Sequence, residues 1–294
     1  MRKYLILASF LFLAACQDGA FPVDAALGTA KAKNPDNTII GGDVVDSGSD
    51  ISKLAISFKS LLQPLDNQTG TQKVAITQCT ASALTRRIVL TAAHCINGDN
   101  LSYVEVMDGG TMTTIPVVKT IINEDFKNDQ YADLAIAVLR DDLPEKIMTV
   151  SIPNPDMKVD LQKIDIISAG YGRTNDAPTA DPTEGLGILR VVLLKISAYD
   201  FNDSKFLVDQ SNGKGFCQGD SGGPGMFQYE GKYYIMGVAS KTVVPENSQT
   251  TTCSFRGAYV NLLKFKNWIE TTTTYLTRDM ISAAANETEV TNQD

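Results

Sequence analysis

A ten-residue segment, Gly215-Phe-Cys-Gln-Gly-Asp-Ser-Gly-Gly-Pro224, crowds glycines around a single hydroxyl, that of Ser221. Gly219, Gly222 and Gly223 lack a Cβ, so the backbone can turn tightly and a substrate can come close. The backbone N–H groups of Gly219 and Ser221 can then converge on the developing oxyanion of an acyl transfer. A serine nucleophile needs a base that titrates near neutrality, and imidazole suits that task best. The chain has one histidine, His94, in Thr91-Ala-Ala-His-Cys95. If Ser221 attacks, His94 is its base. Asp133 opens Asp133-Leu-Ala-Ile-Ala-Val-Leu139, a carboxylate at the mouth of an apolar strand. Such a carboxylate can accept the second ring N–H, fix the tautomer and stabilise the imidazolium. Taken singly, each signal has a plain structural reading: a glycine-rich turn, a packed histidine, a surface aspartate at a strand end. Together they point to hydrolysis by a serine nucleophile.

These groups need rigid supports. From Ile39 onward, short β-rich runs recur between polar, Gly- or Pro-bearing breaks: 54–58, 74–77, 87–91, 103–107, 115–122, 134–139, 164–168, 188–196, 233–239 and 256–260. Many short strands without long helical patterns predict a sandwich or barrel. The segment 140–160 contains three prolines and reads as a join between two halves. Leu262, Leu263, Phe265, Trp268 and Ile269 lie near helical spacing and predict a helix over 262–283. The threonine run 271–274 weakens its second half.

The N-terminus reads as a targeting segment. Met1-Arg2-Lys3 precedes an apolar stretch over 4–15 that is too short for a comfortable membrane span, which predicts a signal peptide over 1–15 and export. Leu13-Ala-Ala-Cys16 resembles a bacterial lipobox, in which Cys16 carries a lipid on its sulfur. Residues 16–38 are small, polar and turn-rich and read as a pro-segment. The precursor is therefore expected at a bacterial cell envelope, held by lipid. Setting Cys16 aside leaves Cys79, Cys95, Cys217 and Cys253, an even set for two disulfides with three possible pairings. The net charge is −8 with no Lys/Arg run, so nucleic-acid binding is not expected. No metal-ligand cluster or cofactor is expected either.

The segments TAAHC, DLAIAVL and GDSGGP, in that order, resemble the chymotrypsin/trypsin family of serine proteases. The order His, Asp, Ser separates the chain from subtilisins and α/β-hydrolases. The resemblance runs from Ile39 to about Ile269 and includes Ile39-Ile-Gly-Gly42, Gly170-Tyr-Gly172, Gly237-Val-Ala-Ser240 and Trp268-Ile269. It implies an all-β fold of two antiparallel six-stranded β-barrels with a C-terminal α-helix. The peptidase domain would occupy 39–294, with barrel 1 over about 39–152, barrel 2 over about 153–270, helix and tail over about 262–294, and the active site between the barrels.

The same resemblance implies the pairings Cys79–Cys95 and Cys217–Cys253. It implies a zymogen, in which cleavage before Ile39 frees an α-ammonium that pairs with Asp220. Thr38 precedes that bond, which suits either a non-tryptic activating protease or self-processing, and the cut would detach the enzyme from Cys16. It places a pocket floor at Gly215 and walls at Ser240, Lys241, Thr242 and near Gly257. With no acid at the floor, cleavage after a small or apolar residue is expected, in protein or peptide substrates, by a monomer that meets the membrane only through the lipid. Cys79-Thr-Ala81 and Tyr171 depart from the family's usual Cys-Gly-Gly and Trp, and 242–252 is longer than the usual loop. The alternative is an inactive homologue that serves as a binding or adhesion module. Retention of the triad and of the activation sequence argues against it. An esterase could use the same acyl-enzyme route, but the chain order argues against the common esterase fold.

Overall fold

The computed structural model describes residues 39–62, 75–96, 101–108, 110–126, 131–161, 163–177, 179–200, 202–245 and 253–291, with side chains up to 283. The readings of Cys16, the signal peptide and Thr38 lie outside these residues.

Two antiparallel barrels account for most of the fold. The first is built from β2 to β7, introduced after the short opening strand β1 (Asp43–Val44). They are β2 (Ile56–Leu62), β3 (Ala75–Ala83), β4 (Ile88–Thr91), β5 (Ser102–Asp108), β6 (Thr111–Ile122) and β7 (Ala135–Leu139). They close in the order β2-β3-β4-β7-β6-β5. Every residue of β4 and β7 is buried, which explains their unbroken apolar runs. One face fills the barrel and the other meets the rest of the molecule, so neither strand can alternate with polar residues.

The second barrel contains β8 (Asp165–Gly170), β9 (Arg190–Tyr199), β10 (Lys205–Asp209), β11 (Pro224–Tyr229), β12 (Lys232–Val243) and β13 (Arg256–Asn261). The order β9-β10-β13-β12-β11-β8 is closed by pairing of β8 with β9. Two of these strands were not anticipated from sequence. In β10 only Phe206 and Val208 are fully buried apolar residues, between charged ends. The run in β11 starts on Pro224 and Gly225 beside the nucleophile loop, which hides it; proline is tolerated as the first residue of a strand.

The chain ends in α1 (Leu262–Thr291), eight residues longer at its C-terminus than the periodicity predicts. Asn261 accepts the Leu263 N–H on its side chain at 3.2 Å and so caps the helix start. Thr274 and Thr277 turn their hydroxyls back onto the carbonyls four residues earlier, so the threonine run does not break the helix. Leu262, Ile269 and Leu276 are buried one after another along one face, and Lys119 of β6 pairs with Asp279 at 2.9 Å. The helix thus follows the second barrel and is tied to the first.

Residues 39–44, assigned by sequence to the first barrel, pack on the second. β1 pairs with β9 in the register Asp43↔Val191 and Val44↔Arg190. Ile39 is fully buried in the apolar cluster that holds Phe206, Phe216 and Tyr259. The physical reason is burial: a run of Ile39-Ile40 needs an apolar slot, and the second barrel's core supplies it.

Candidate active site

Strand pairing brings the base and its carboxylate together. Thr91, the last residue of β4, stands opposite Ala135, the first of β7. His94 lies three positions past that pair and Asp133 two positions before it, so both emerge at the same barrel end. The His94 ring Nδ1 and Asp133 Oδ2 are 2.7 Å apart, and the His94 backbone N–H donates to Asp133 Oδ1 at 3.0 Å. Ser240 Oγ donates to Asp133 Oδ2 at 2.7 Å. Ser240 sits where the pairing of β12 with β13 slips between Ala239 and Lys241. Such a bulge re-aims a side chain, here across to the other barrel.

Burial pushes the Asp133 carboxyl up, but the hydrogen bonds and charge of His94 and the Ser240 hydroxyl outweigh it and hold the group below its ordinary value. It is an ionised acceptor at neutral pH. With Nδ1–H committed to Asp133, the ring's Nε2 lone pair is left to act as a base. The Cys79–Cys95 disulfide pins the histidine turn to β3.

The Ser221 loop is stapled between the barrels. Its carbonyl accepts the Thr80 N–H at 2.8 Å, and the next amide, Gly222 N–H, donates to Ala239 O at 2.7 Å. Gly222 has φ +83°, and a Cβ there would lie 2.1 Å from Thr91 Oγ1, so only glycine fits. Thr80 Oγ1 donates to Gly219 O at 3.0 Å, which fixes that peptide's orientation. Among the described residues the amides of Gly219 and Ser221 have no acceptor within the fold, leaving both free for an oxyanion. No hydrogen bond joins the Ser221 hydroxyl to His94 among the described residues; such bonds commonly tighten only around a substrate.

Asp220 lies wholly inside the second barrel. Gly172 and Cys217 donate their amides to its two oxygens at 2.7 and 2.8 Å. A Cβ on Gly170 or Gly172 would fall 2.3 to 2.4 Å from this carboxylate, which accounts for the Gly-Tyr-Gly sequence. Burial pushes its carboxyl up to about 7, against the pull of those amides and of the Arg190 charge. Close by in sequence, Gly215 N–H donates to Ile40 O at 2.8 Å. The segment that begins at Ile39 is therefore tied to the start of the nucleophile loop.

A cavity of about 210 Å³ opens beside Ser221. Ser240, Lys241 and Thr242 line it, and so do Phe216, Cys217 and Gln218. Gly215 and Gly257 do not line it, in contrast to the expected floor and wall. A Cβ on Gly215 would meet the Gln210 side chain at 2.3 Å, and one on Gly257 would meet Gln210 Oε1 at 2.2 Å and the Phe216 ring at 2.3 Å. Gln210 is fully buried and holds both the N–H and the carbonyl of Phe216, as well as Cys253 O at 2.6 Å. Ring and amide together fill the space at the two glycines. Neither Phe216 nor Gln210 was anticipated from sequence as shaping the pocket, and nothing in the sequence around Gln210 marks it. The second disulfide, Cys217–Cys253, braces this wall. Among the described residues, two three-residue clusters have metal-ligand atoms in reach, and each contains a disulfide pair whose sulfurs are already spent.

The family model described as Trypsin matches residues 64–269. The chain is 28% identical over 227 residues to the clotting factor G beta subunit of Tachypleus tridentatus, covering 65% of this chain and 70% of that one. It is 28% identical to brachyurin of Leptuca pugilator over 66% of this chain and 87% of that one. It is also 28% identical to a venom protease of Bombus pensylvanicus, over 69% and 87%. With two closed barrels, a histidine–aspartate pair at their junction and a family match over most of its length, the chain belongs to the trypsin family and is a serine-type endopeptidase.

Proposed function

We propose that Ser221, His94 and Asp133 cleave peptide bonds through an acyl-enzyme. His94 Nε2 takes the Ser221 proton as Oγ attacks the scissile carbonyl, and Asp133 steadies the imidazolium that results. The amides of Gly219 and Ser221 receive the oxyanion. The histidine then gives its proton to the leaving amine, and water releases the acyl group by the same steps in reverse order. The observation that carries this reading is the threefold grip on Asp133 by His94 Nδ1, His94 N and Ser240 Oγ.

The specificity reading follows from the pocket. Among the described residues its lining holds no acid and includes the Phe216 ring. Small or apolar side chains before the cut suit it best. The chain is made as a zymogen, and cleavage before Ile39 creates an α-ammonium that pairs with Asp220. A lipid on Cys16 holds the exported precursor at the envelope of a bacterial cell, an activating protease or the enzyme itself makes the cut, and the released enzyme works as a monomer. Protein beginning at Ile39 is the material for the test. It should label at Ser221 with an organophosphonate and should cut a peptide library after small or apolar residues. Absence of both labelling and turnover would overturn the peptidase reading, and cleavage after Lys or Arg would overturn the specificity. Mature protein that starts at Ile39 yet stays with membranes would sink the release step.

A further inference from the structure

Arg190 is a buried cation with no part in the scheme above. It opens β9 and is 3% exposed. Its Nη1 donates to the carbonyls of Gly185 and Ile188 at 2.7 and 3.1 Å. Its Nε is buried and has no hydrogen-bond partner among the described residues. A guanidinium in the interior is costly unless a negative charge answers it. The acid whose field reaches it is Asp220, although no direct ion pair joins them among the described residues.

The register explains why these two charges meet. Arg190 stands opposite Gly170 on β8 and opposite Val44 on β1. Gly170 is one of the two glycines that touch the Asp220 carboxylate. Val44 belongs to the segment led by Ile39. Arg190 therefore lies between the activation segment and the acid it serves. Its hydrogen bonds reach a third element. Leu186 lies between the two carbonyls that Arg190 holds, and a Cβ on Gly219 would come within 2.8 Å of Leu186 Cδ2. That leucine backs the amide assigned to the oxyanion hole.

We propose that Arg190 is a positioning residue for the oxyanion hole. Its Nη1 alone holds both carbonyls of the 185–188 turn against Gly219, and its buried charge lies across the β8–β9 register from Gly170, which touches the Asp220 carboxylate. This rests on the peptidase reading and adds to it a second anchor for the loop, made by a residue outside the segment led by Ile39.

The test compares Arg190→Met and Arg190→Lys with the wild type, all beginning at Ile39. Three quantities are read: kcat and KM on a peptide amide, inhibition by a peptide aldehyde whose adduct with Ser221 fills the oxyanion hole, and thermal melting. Arg190→Met should lose about 10- to 100-fold in kcat, the scale of a small misplacement of catalytic groups. KM should change little, and aldehyde inhibition should weaken in step with kcat/KM. Arg190→Lys keeps the charge on a shorter side chain whose ammonium does not occupy the place of Nη1, and should fall between. A merely structural role would lower the melting temperature and leave kcat per folded molecule alone. A folded Arg190→Met enzyme with wild-type kcat overturns the proposal. If that chain does not fold, wild-type kcat in Arg190→Lys overturns it instead. If neither folds, Arg190 is a folding residue and the proposal fails. A wild type that neither turns over nor labels at Ser221 brings down the peptidase reading first.

Discussion

The two barrels contribute to the site in opposite ways. The first delivers His94 and Asp133 from the ends of β4 and β7, strands buried at every residue, with a disulfide beside the histidine. Closure of that barrel brings the pair together, and Ser240 of the second barrel adds one hydrogen bond to the carboxylate. The second delivers Ser221 from a glycine-rich loop that belongs to no strand, held by borrowed hydrogen bonds and by a buried acid. One half rests on buried strands and the other on a loop, and on the activation reading proposed above it is the loop that cleavage before Ile39 would act on.

That contrast can be broken at either side. The largest effect belongs to the half on buried strands. Asp133→Asn should lower kcat by about 10⁴-fold, because the amide favours the wrong imidazole tautomer. A loss below about tenfold, measured on the enzyme beginning at Ile39, would mean that the aspartate does not orient the base. The loop should respond less. On the proposed activation pairing, Asp220→Asn would remove the partner of the terminus at Ile39 and should cost about 10²- to 10³-fold in kcat, the scale of losing an oxyanion donor. Aldehyde inhibition should weaken with it, and an unchanged Ki would separate Asp220 from the hole.

The acid should also make the uncut chain sensitive to pH. Unfolded, Asp220 titrates near the ordinary carboxylate value of about 3.9; folded and uncut, it titrates at about 7. The folded state thus holds an extra proton between these values. This contribution to stability is complete below the unfolded value and is lost as pH rises toward 7. Asp133, whose pKa is lowered, acts below that window, where its contribution disappears as the pH falls. The melting temperature of uncut Ser221→Ala should fall from pH 4 to 7 relative to the same chain carrying Asp220→Asn. A constant difference between them would contradict a protonated Asp220.

The smallest effect tests the pocket. Gly215→Asp should raise cleavage after Lys or Arg by less than about tenfold, since the Gln210 side chain stands where the new side chain would begin. A full change to tryptic specificity would show that the position faces the cavity after all.

The division between barrels also sorts what could be read from sequence. His94, Asp133 and Ser221 are legible because their chemistry restricts the residue type and their neighbours are small. The strands that carry them are legible as apolar runs. β10 and β11 are not, because short strands inside a closed barrel can take their burial from neighbours rather than from their own pattern. The pocket is the least legible part. Gly215 gives the expected absence of an acid, but the shape depends on Gln210, whose role comes from three hydrogen bonds across the fold. The place of Ile39 is similar: its apolar character is evident locally, but the barrel that receives it is not.

The pairing of β1 with β9 sets an order of assembly. Residues 39–44 are made early, yet their seat is built from strands that run as far as Asn261. Synthesis must deliver nearly the whole domain before that seat exists. Until then the opening segment has nowhere native to dock, and a truncated chain cannot hold Ile39 in place. The seating of Ile39 is therefore a report on completion of the polypeptide.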